Sequence, residues 1–277
     1  MTSTFDFTTA DSYILNCSTL LTELPVMERA QAAKDAGFSQ VEFWWPFDGN
    51  PTPSQDEVDE FVASLERAGV ELKGLNFWAG NMAGGDRGMV SIKGAEADFA
   101  ANVEIVKEIG KRTGCKAFNA LYGLRTEGQT PQEQDEVAIA NLRLAADAVA
   151  EIGGTVLVEP VSGADAYPLK KYTDAAEVVA KVRAHDVENI AVLADFFHMA
   201  VNGDDVAAVI ESEAANFGHI QIADAAGRGA PGTGELPLED WINRAFELGY
   251  AGQIALEYKQ DRETAFAWLN ASVEQPA

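Results

Sequence analysis

Long apolar runs are absent from this sequence. No run approaches the ~20 consecutive apolar residues that a membrane-spanning helix needs, so we expect no membrane association. The first seven residues lack the basic head and the apolar core of a signal peptide. Only two cysteines, Cys17 and Cys115, occur among the 277 residues. So few thiols are typical of a reduced, cytoplasmic protein and argue against a disulfide-stabilised scaffold.

Basic residues and histidines are also scarce. The chain has 20 Lys and Arg against 44 Asp and Glu, which gives a formal net charge of −24. A surface this acidic repels phosphate backbones, so nucleic acid is not an expected partner. The chain has only three histidines, which further disfavours a nuclease with a histidine-rich metal site. We expect a small-molecule substrate as the partner, and the sequence leaves open whether the chain forms a homo-oligomer.

Short apolar segments alternate with amphipathic helical segments along the chain. The predicted strands cover residues 12–17, 40–44, 71–76, 117–120, 155–159, 190–195, 220–223 and 253–257. The predicted helices cover residues 25–36, 54–68, 95–113, 133–152, 174–184, 204–215, 239–248 and 261–271. Ser54 and Glu57 have capping-box spacing at the start of the second helix. This alternation predicts an α/β fold, a (β/α)8 TIM barrel formed by one domain over residues 1–277, with a doubly wound open sheet as the alternative.

Four of the predicted strands carry an oxygen-bearing side chain at or near the end where such barrels have their active sites. Glu159, Asp195 and Glu257 stand at the C-terminal ends of strands five, six and eight, and Gln221 lies within strand seven. Three carboxylates brought together need a cation between them to stay ionised. Three carboxylates and one amide oxygen suit a hard divalent ion, so we expect Mg²⁺ or Mn²⁺ as the cofactor.

Three further side chains are candidates for substrate binding. His198 follows Asp195 by three residues, so we expect it to face the same cavity and to form hydrogen bonds there. Arg228, in the glycine-rich loop after strand seven, is a suitable bidentate partner for a substrate carboxylate. Arg87, in the long glycine-rich loop after strand three, is a second candidate for that role. Asp224, just past strand seven, belongs either to the site or only to its own loop.

These motifs together resemble a known family. The segments that carry the resemblance are Glu159-Pro160 and residues 195–198, 219–224 (His-Ile-Gln-Ile-Ala-Asp), 227–235 and 256–258. Nearly the whole chain is similar to the hydroxypyruvate isomerase family of the xylose isomerase-like TIM barrels. The resemblance implies metal ligation by Glu159, Asp195, Gln221 and Glu257, with Glu159 and Glu257 as the paired catalytic acid and base. Gly229 stands where the family often has a basic or ring-bearing residue, and no arginine closely follows His198, so both departures concern the substrate.

The function expected from this resemblance is a metal-assisted isomerisation. A small hydroxy-keto acid and its aldehyde or keto isomer would interconvert through an enediolate, with the metal polarising the carbonyl and one glutamate removing the adjacent proton. Hydroxypyruvate with tartronate semialdehyde, and a 2-oxo-tetronate, fit equally well. A ketose 3-epimerase is the enzymatic alternative and needs no arginine clamp. A non-catalytic metal- or sugar-binding barrel is the alternative of another class, and full loss of activity on metal removal would argue against it.

Overall fold

A closed barrel of eight parallel strands forms the centre of the protein in this computed structural model, which describes residues 5–271. The strands are β1 (Tyr13–Asn16), β2 (Gln40–Phe43), β3 (Glu71–Asn76), β4 (Ala117–Asn119), β5 (Thr155–Val158), β6 (Ile190–Asp195), β7 (Phe217–Ile222) and β8 (Ile254–Leu256). Each strand pairs with the next in the chain, and β8 pairs with β1. The predicted (β/α)8 barrel is therefore confirmed and the open sheet is excluded.

Helices connect the strands on the outside of the barrel. Within residues 5–271 they are α1 (Val26–Asp35), α2 (Gln55–Ala68), α3 (Glu96–Thr113), α4 (Pro131–Ala150), α5 (Tyr172–Arg183), α6 (Phe196–Val201), α7 (Val206–Glu213), α8 (Leu238–Glu247) and α9 (Ala267–Ala271). The capping box predicted at Ser54 and Glu57 is present at the start of α2. Residues 5–271 contain no helix with the length and apolar character needed to cross a membrane.

Two of the predicted helices differ from those observed. A short helix that was not predicted, α6, begins directly after β6, and the predicted helix over residues 204–215 follows it as α7. Asp195 Oδ1 accepts the backbone N–H of His198 and so caps α6. The last predicted helix, over residues 261–271, is helical only from Ala267 and begins with a series of turns. The first difference matters for the site, since α6 carries His198 to the mouth of the barrel.

Apolar side chains of β5 and β6 lie in the barrel interior below two of the predicted site acids. Side chains of a strand alternate between the outside, where they pack on helices, and the inside. Leu157, Leu193 and Ala191 form a small apolar cluster that is separate from the main core. Two residues further along the same strands stand Glu159 and Asp195, so the same alternation directs both carboxylates inward at the C-terminal mouth.

Candidate metal centre and active site

Three buried carboxylates meet at the C-terminal mouth of the barrel. Asp195 is the last residue of β6, and Glu159 and Glu257 directly follow β5 and β8. One nitrogen of Arg228, Nη2, lies 2.6 Å from Glu257 Oε2 and 3.4 Å from Asp195 Oδ2, which joins two of the acids. Glu159, Asp195 and His198 offer ligand atoms that all lie within 4.8 Å of one another, an arrangement that can hold a divalent metal ion. A cavity of about 710 Å³ opens above this cluster.

The electrostatics of the cluster call for additional positive charge. Burial raises the pKa of Glu159 well above its usual range, and the neighbouring charges of Glu257 and Asp195 raise it further. Burial also raises the pKa of Asp195, although Arg228 opposes the increase. Burial raises the pKa of Glu257 to about 7, again against the effect of Arg228. One arginine does not compensate three buried carboxyl groups, so a divalent cation fits this set of donors.

Gln221, on the strand next to Asp195, carries a further side-chain oxygen. Gln221 is the register partner of Asp195 across the β6–β7 pair, so both side chains lie on the same face of the sheet. Its Nε2 donates to Glu42 Oε1 at 2.7 Å. Its Oε1 is buried and has no hydrogen-bond partner among the residues that the structure describes. An unpaired buried acceptor is costly unless a ligand satisfies it, which agrees with a cation at this position.

The imidazole of His198 lies beside the same carboxylates as a hydrogen-bond donor. Its Nδ1 accepts the backbone N–H of Ser162 at 3.0 Å, which places the ring proton on Nε2. Nε2 faces Asp195 Oδ2 at 3.6 Å and Glu159 Oε1 at 3.8 Å. Burial lowers the pKa of His198 to about 3, so the ring is neutral. A neutral ring with its proton on Nε2 donates toward the cavity, which favours substrate binding over metal ligation.

The two candidate arginines have different contacts. Arg228 donates from Nη2 to Glu257 Oε2 and from Nε to the Glu257 backbone oxygen at 3.0 Å, and its guanidinium lies 5.5 Å from the centre of the Phe197 ring. Arg87 lines the same cavity, but its guanidinium donates to the backbone oxygens of Met82 and Asp86. The structure therefore brings Arg228 into the acid cluster and ties Arg87 to its own loop.

The role of Asp224 is visible in the loop that carries Arg228. Its two carboxylate oxygens accept the backbone N–H groups of Gly232, Gly234 and Leu236, at 2.8 to 3.1 Å. Asp224 also pairs with Gly229 through two backbone hydrogen bonds. Of the two roles left open by the sequence, the contacts support the one in which Asp224 holds the loop.

Three further polar side chains contact the site, and none of them is among the site residues predicted from the sequence. Asn119, at the end of β4, donates to Glu159 Oε2 at 2.7 Å. Trp44 donates from its indole nitrogen to Glu257 Oε1 at 2.7 Å. Glu42 is buried within β2, and although burial raises its pKa, the charge of His219 and three hydrogen bonds hold that pKa below its usual value. A carboxylate between Val41 and Phe43 is the signal that could have identified Glu42, since a charge inside a buried strand is unusual.

Comparisons with known proteins agree with the barrel fold. A sequence model of the family described as xylose isomerase-like TIM barrel matches residues 30–274. A Streptomyces coelicolor protein with the provisional name hydroxypyruvate isomerase is 47% identical over 264 residues, which cover 93% of this chain and 95% of the relative. The 2-oxo-tetronate isomerase of Haemophilus influenzae is 31% identical over 254 residues, covering 91% and 95%. Among solved structures, one titled AP endonuclease, family 2, from Brucella melitensis has a TM-score of 0.82 at 30% identity, covering 95% and 99%.

Proposed function

Because the chain belongs to the xylose isomerase-like TIM barrel family, we propose that it is a divalent-metal-dependent isomerase of a small hydroxy-keto acid. The match of the family model to residues 30–274 confirms the family predicted from the sequence motifs. Relatives named for hydroxypyruvate and for 2-oxo-tetronate support these two substrate types. The observation that carries the metal-dependent chemistry is the cluster of three buried carboxylates beneath a cavity that Arg228 lines. It is supported by Gln221, the register partner of Asp195, whose buried amide oxygen has no hydrogen-bond partner in the described part of the chain.

The proposed ligands of the metal are Glu159, Asp195, Gln221 and Glu257, and the proposed ion is Mg²⁺ or Mn²⁺. All four offer oxygen atoms, which both ions prefer. When bound, such an ion polarises the carbonyl and the adjacent hydroxyl of the substrate. The chain itself supplies the proton transfers and holds the substrate.

Glu159 and Glu257 are the proposed acid and base. Proton transfer is most effective when the pKa of the group lies near the working pH, and burial brings the pKa of Glu257 to about 7. With hydroxypyruvate, one glutamate removes a proton from C3 to give the enediolate, and the other returns a proton to C2. The proton of the C3 hydroxyl passes to the C2 oxygen, which gives tartronate semialdehyde, and proton exchange with solvent restores the two glutamates. His198 donates its Nε2–H to the oxygen on which negative charge develops. Arg228 binds the carboxylate of the substrate, and Arg87 is the second candidate for that contact.

Proton NMR in D₂O tests this proposal directly. The protein is stripped of metal, reloaded with Mg²⁺ and incubated with hydroxypyruvate, 2-oxo-tetronates and neutral ketoses. We expect deuterium to enter the acids at the carbon next to the carbonyl, and we expect chelation to abolish this exchange. Unchanged exchange after chelation would contradict the metal-dependent mechanism. Faster exchange on neutral ketoses would favour the epimerase, and no exchange on any compound would favour a binding protein.

A further inference from the structure

A buried hydrogen-bond network lies in the barrel below the proposed metal site. Glu42, on β2, crosses the interior to meet Gln221 on β7. Its Oε1 accepts from Gln221 Nε2 at 2.7 Å and from Asn16 Nδ2 at 2.8 Å. Its Oε2 lies 2.8 Å from His219 Nε2. Three nitrogen atoms thus converge on the two oxygens of one side chain, an arrangement that a carboxylate satisfies because it only accepts hydrogen bonds.

The barrel leaves room for this carboxylate. Gly74 of β3 lies opposite Glu42, and a Cβ at that position would come within 3.0 Å of both Glu42 Cβ and Glu42 Oε2. The β2–β3 register shifts between Val41 and Glu42, so the strand pairing is irregular where Glu42 enters the interior. Glu42 is therefore placed by the backbones of two strands, and its position does not depend on Gln221 alone.

The orientation of the Gln221 amide decides whether it can bind a cation. An amide has an oxygen at one corner and an NH₂ group at the other, and only the oxygen can be a metal ligand. Because Gln221 Nε2 donates to Glu42, the amide oxygen Oε1 of Gln221 is directed away from the Glu42 carboxylate. This oxygen is buried without a hydrogen-bond partner in the part of the chain that the structure describes. A flipped amide would instead set its oxygen against Glu42 Oε1, two acceptors at hydrogen-bonding distance, which is repulsive.

We propose that Glu42 is a positioning residue that fixes the Gln221 amide with its oxygen toward the carboxylate cluster. This inference rests on the metal site of the proposed function. Side chains that orient metal ligands typically contribute about 10- to 100-fold to metal affinity. We therefore expect Glu42→Gln to weaken Mn²⁺ binding by about 10- to 100-fold, because a second amide beside Gln221 no longer excludes the flipped orientation.

An exchange of the two side chains distinguishes positioning from a general structural role. The double variant Glu42→Gln/Gln221→Glu keeps the net charge and reverses the hydrogen bond, so that an amide at position 42 donates to a carboxylate at position 221. One oxygen of that carboxylate then remains free for the metal. We expect this variant to recover most of the Mn²⁺ affinity that Glu42→Gln loses. Asn16→Ala is the matched control, since Asn16 donates to the same oxygen of Glu42 without touching Gln221. It should lower thermal stability but leave Mn²⁺ affinity near that of the wild type.

The readouts are isothermal titration of the metal-stripped proteins with Mn²⁺, the electron paramagnetic resonance spectrum of the bound Mn²⁺, and the thermal midpoint without metal. If wild type does not bind Mn²⁺, the proposed metal site fails and this inference fails with it. If wild type binds and Glu42→Gln binds equally well, or if the double variant is no better than Glu42→Gln, only the positioning role of Glu42 is overturned. If Glu42→Gln does not fold, the double variant tests the proposal. A Mn²⁺ affinity like that of wild type supports the positioning role, and a folded double variant that binds Mn²⁺ at least about 10-fold more weakly overturns it.

Discussion

The contact between Arg228 and the carboxylates leads to a prediction about stability. The substitution Arg228→Ala removes the Nη2 hydrogen bond to Glu257 Oε2, the Nε hydrogen bond to the Glu257 backbone oxygen, and the longer contact to Asp195. The guanidinium lies against buried acids, and the side chain is only 15% exposed, so solvent replaces little of what is lost. In the metal-free protein, the acids would then be left without their nearest cation.

The size of this loss follows from the contacts. Two hydrogen bonds that involve a charged partner contribute about 1.5 kcal/mol each at the lower end of their usual range, which gives a decrease of about 3 kcal/mol in the free energy of unfolding. For a chain of this size, 1 kcal/mol corresponds to roughly 2–4 °C in the thermal midpoint. We therefore expect the midpoint of metal-free Arg228→Ala to fall by about 6–12 °C at pH 8.

The loss should depend on pH in a defined direction. A carboxyl group whose pKa is raised on folding holds its proton more tightly in the folded protein, so it contributes stability at low pH that is lost as the pH rises through the folded pKa. For Glu257 that interval runs from its ordinary value of 4.5 to about 7. Removing Arg228 raises the pKa of Glu257 further, since Arg228 lowers it in the wild type. The deficit of Arg228→Ala should thus be larger at pH 8 than at pH 5.5, and saturating Mg²⁺ should reduce it.

Scanning calorimetry at both pH values, with and without Mg²⁺, measures this effect, and Arg87→Ala is the matched control. It removes the same charge from the same cavity, but its hydrogen bonds to backbone oxygens lie partly or fully in solvent, so water replaces most of what is lost and we expect a smaller deficit. Equal deficits for the two variants at pH 8, or a deficit for Arg228→Ala that is no smaller at pH 5.5, would refute the electrostatic reasoning.

Steady-state kinetics on the Mg²⁺-loaded variants then tests the substrate contact. Arg228→Ala should raise KM for keto acids far more than for neutral ketoses, whereas a larger effect of Arg87→Ala would assign the substrate carboxylate to Arg87.

Three other predictions follow from the site. Glu257→Gln should bind substrate yet lose about 10²- to 10⁴-fold of its exchange of the substrate proton with solvent in proton NMR, and substantial remaining exchange would remove Glu257 from the acid–base role. Mg²⁺ binding near pH 7 should release protons, because the pKa values of Glu159, Asp195 and Glu257 are raised. Titration calorimetry in buffers of different ionisation enthalpy measures this release, and its absence would contradict the raised pKa values. Asp224→Ala leaves three backbone N–H groups without their acceptor, so urea denaturation should show a free energy of unfolding lower by about 1–3 kcal/mol. Because the same loop carries Arg228, this variant should also raise KM for keto acids. An unchanged KM would show that Asp224 does not place Arg228.

Local patterns in the sequence are sufficient to predict the architecture and the direction of the main acids. Short apolar runs and helical periodicity are local, so they place the strand that ends near Glu159 and the strand that ends at Asp195 within a residue or two. In a parallel barrel all strands end at the same mouth, so a polar residue at a strand end is directed to the site without any knowledge of its neighbours. Gln221 stands out because its polar side chain interrupts the apolar run of the seventh predicted strand, and the family resemblance then implies its role as a metal ligand.

Contacts between side chains from distant parts of the chain follow only from the folded barrel. Trp44 and Glu257 form a hydrogen bond although they are 213 residues apart, because closure of β8 on β1 brings the end of β2 near the end of β8. In the sequence, Glu42 is an unusual charge inside a short strand, but its contact with Gln221 arises only when the barrel closes. Hydrogen bonds across a barrel depend on strand register and on closure of the barrel, and the local sequence pattern of one strand predicts neither of them.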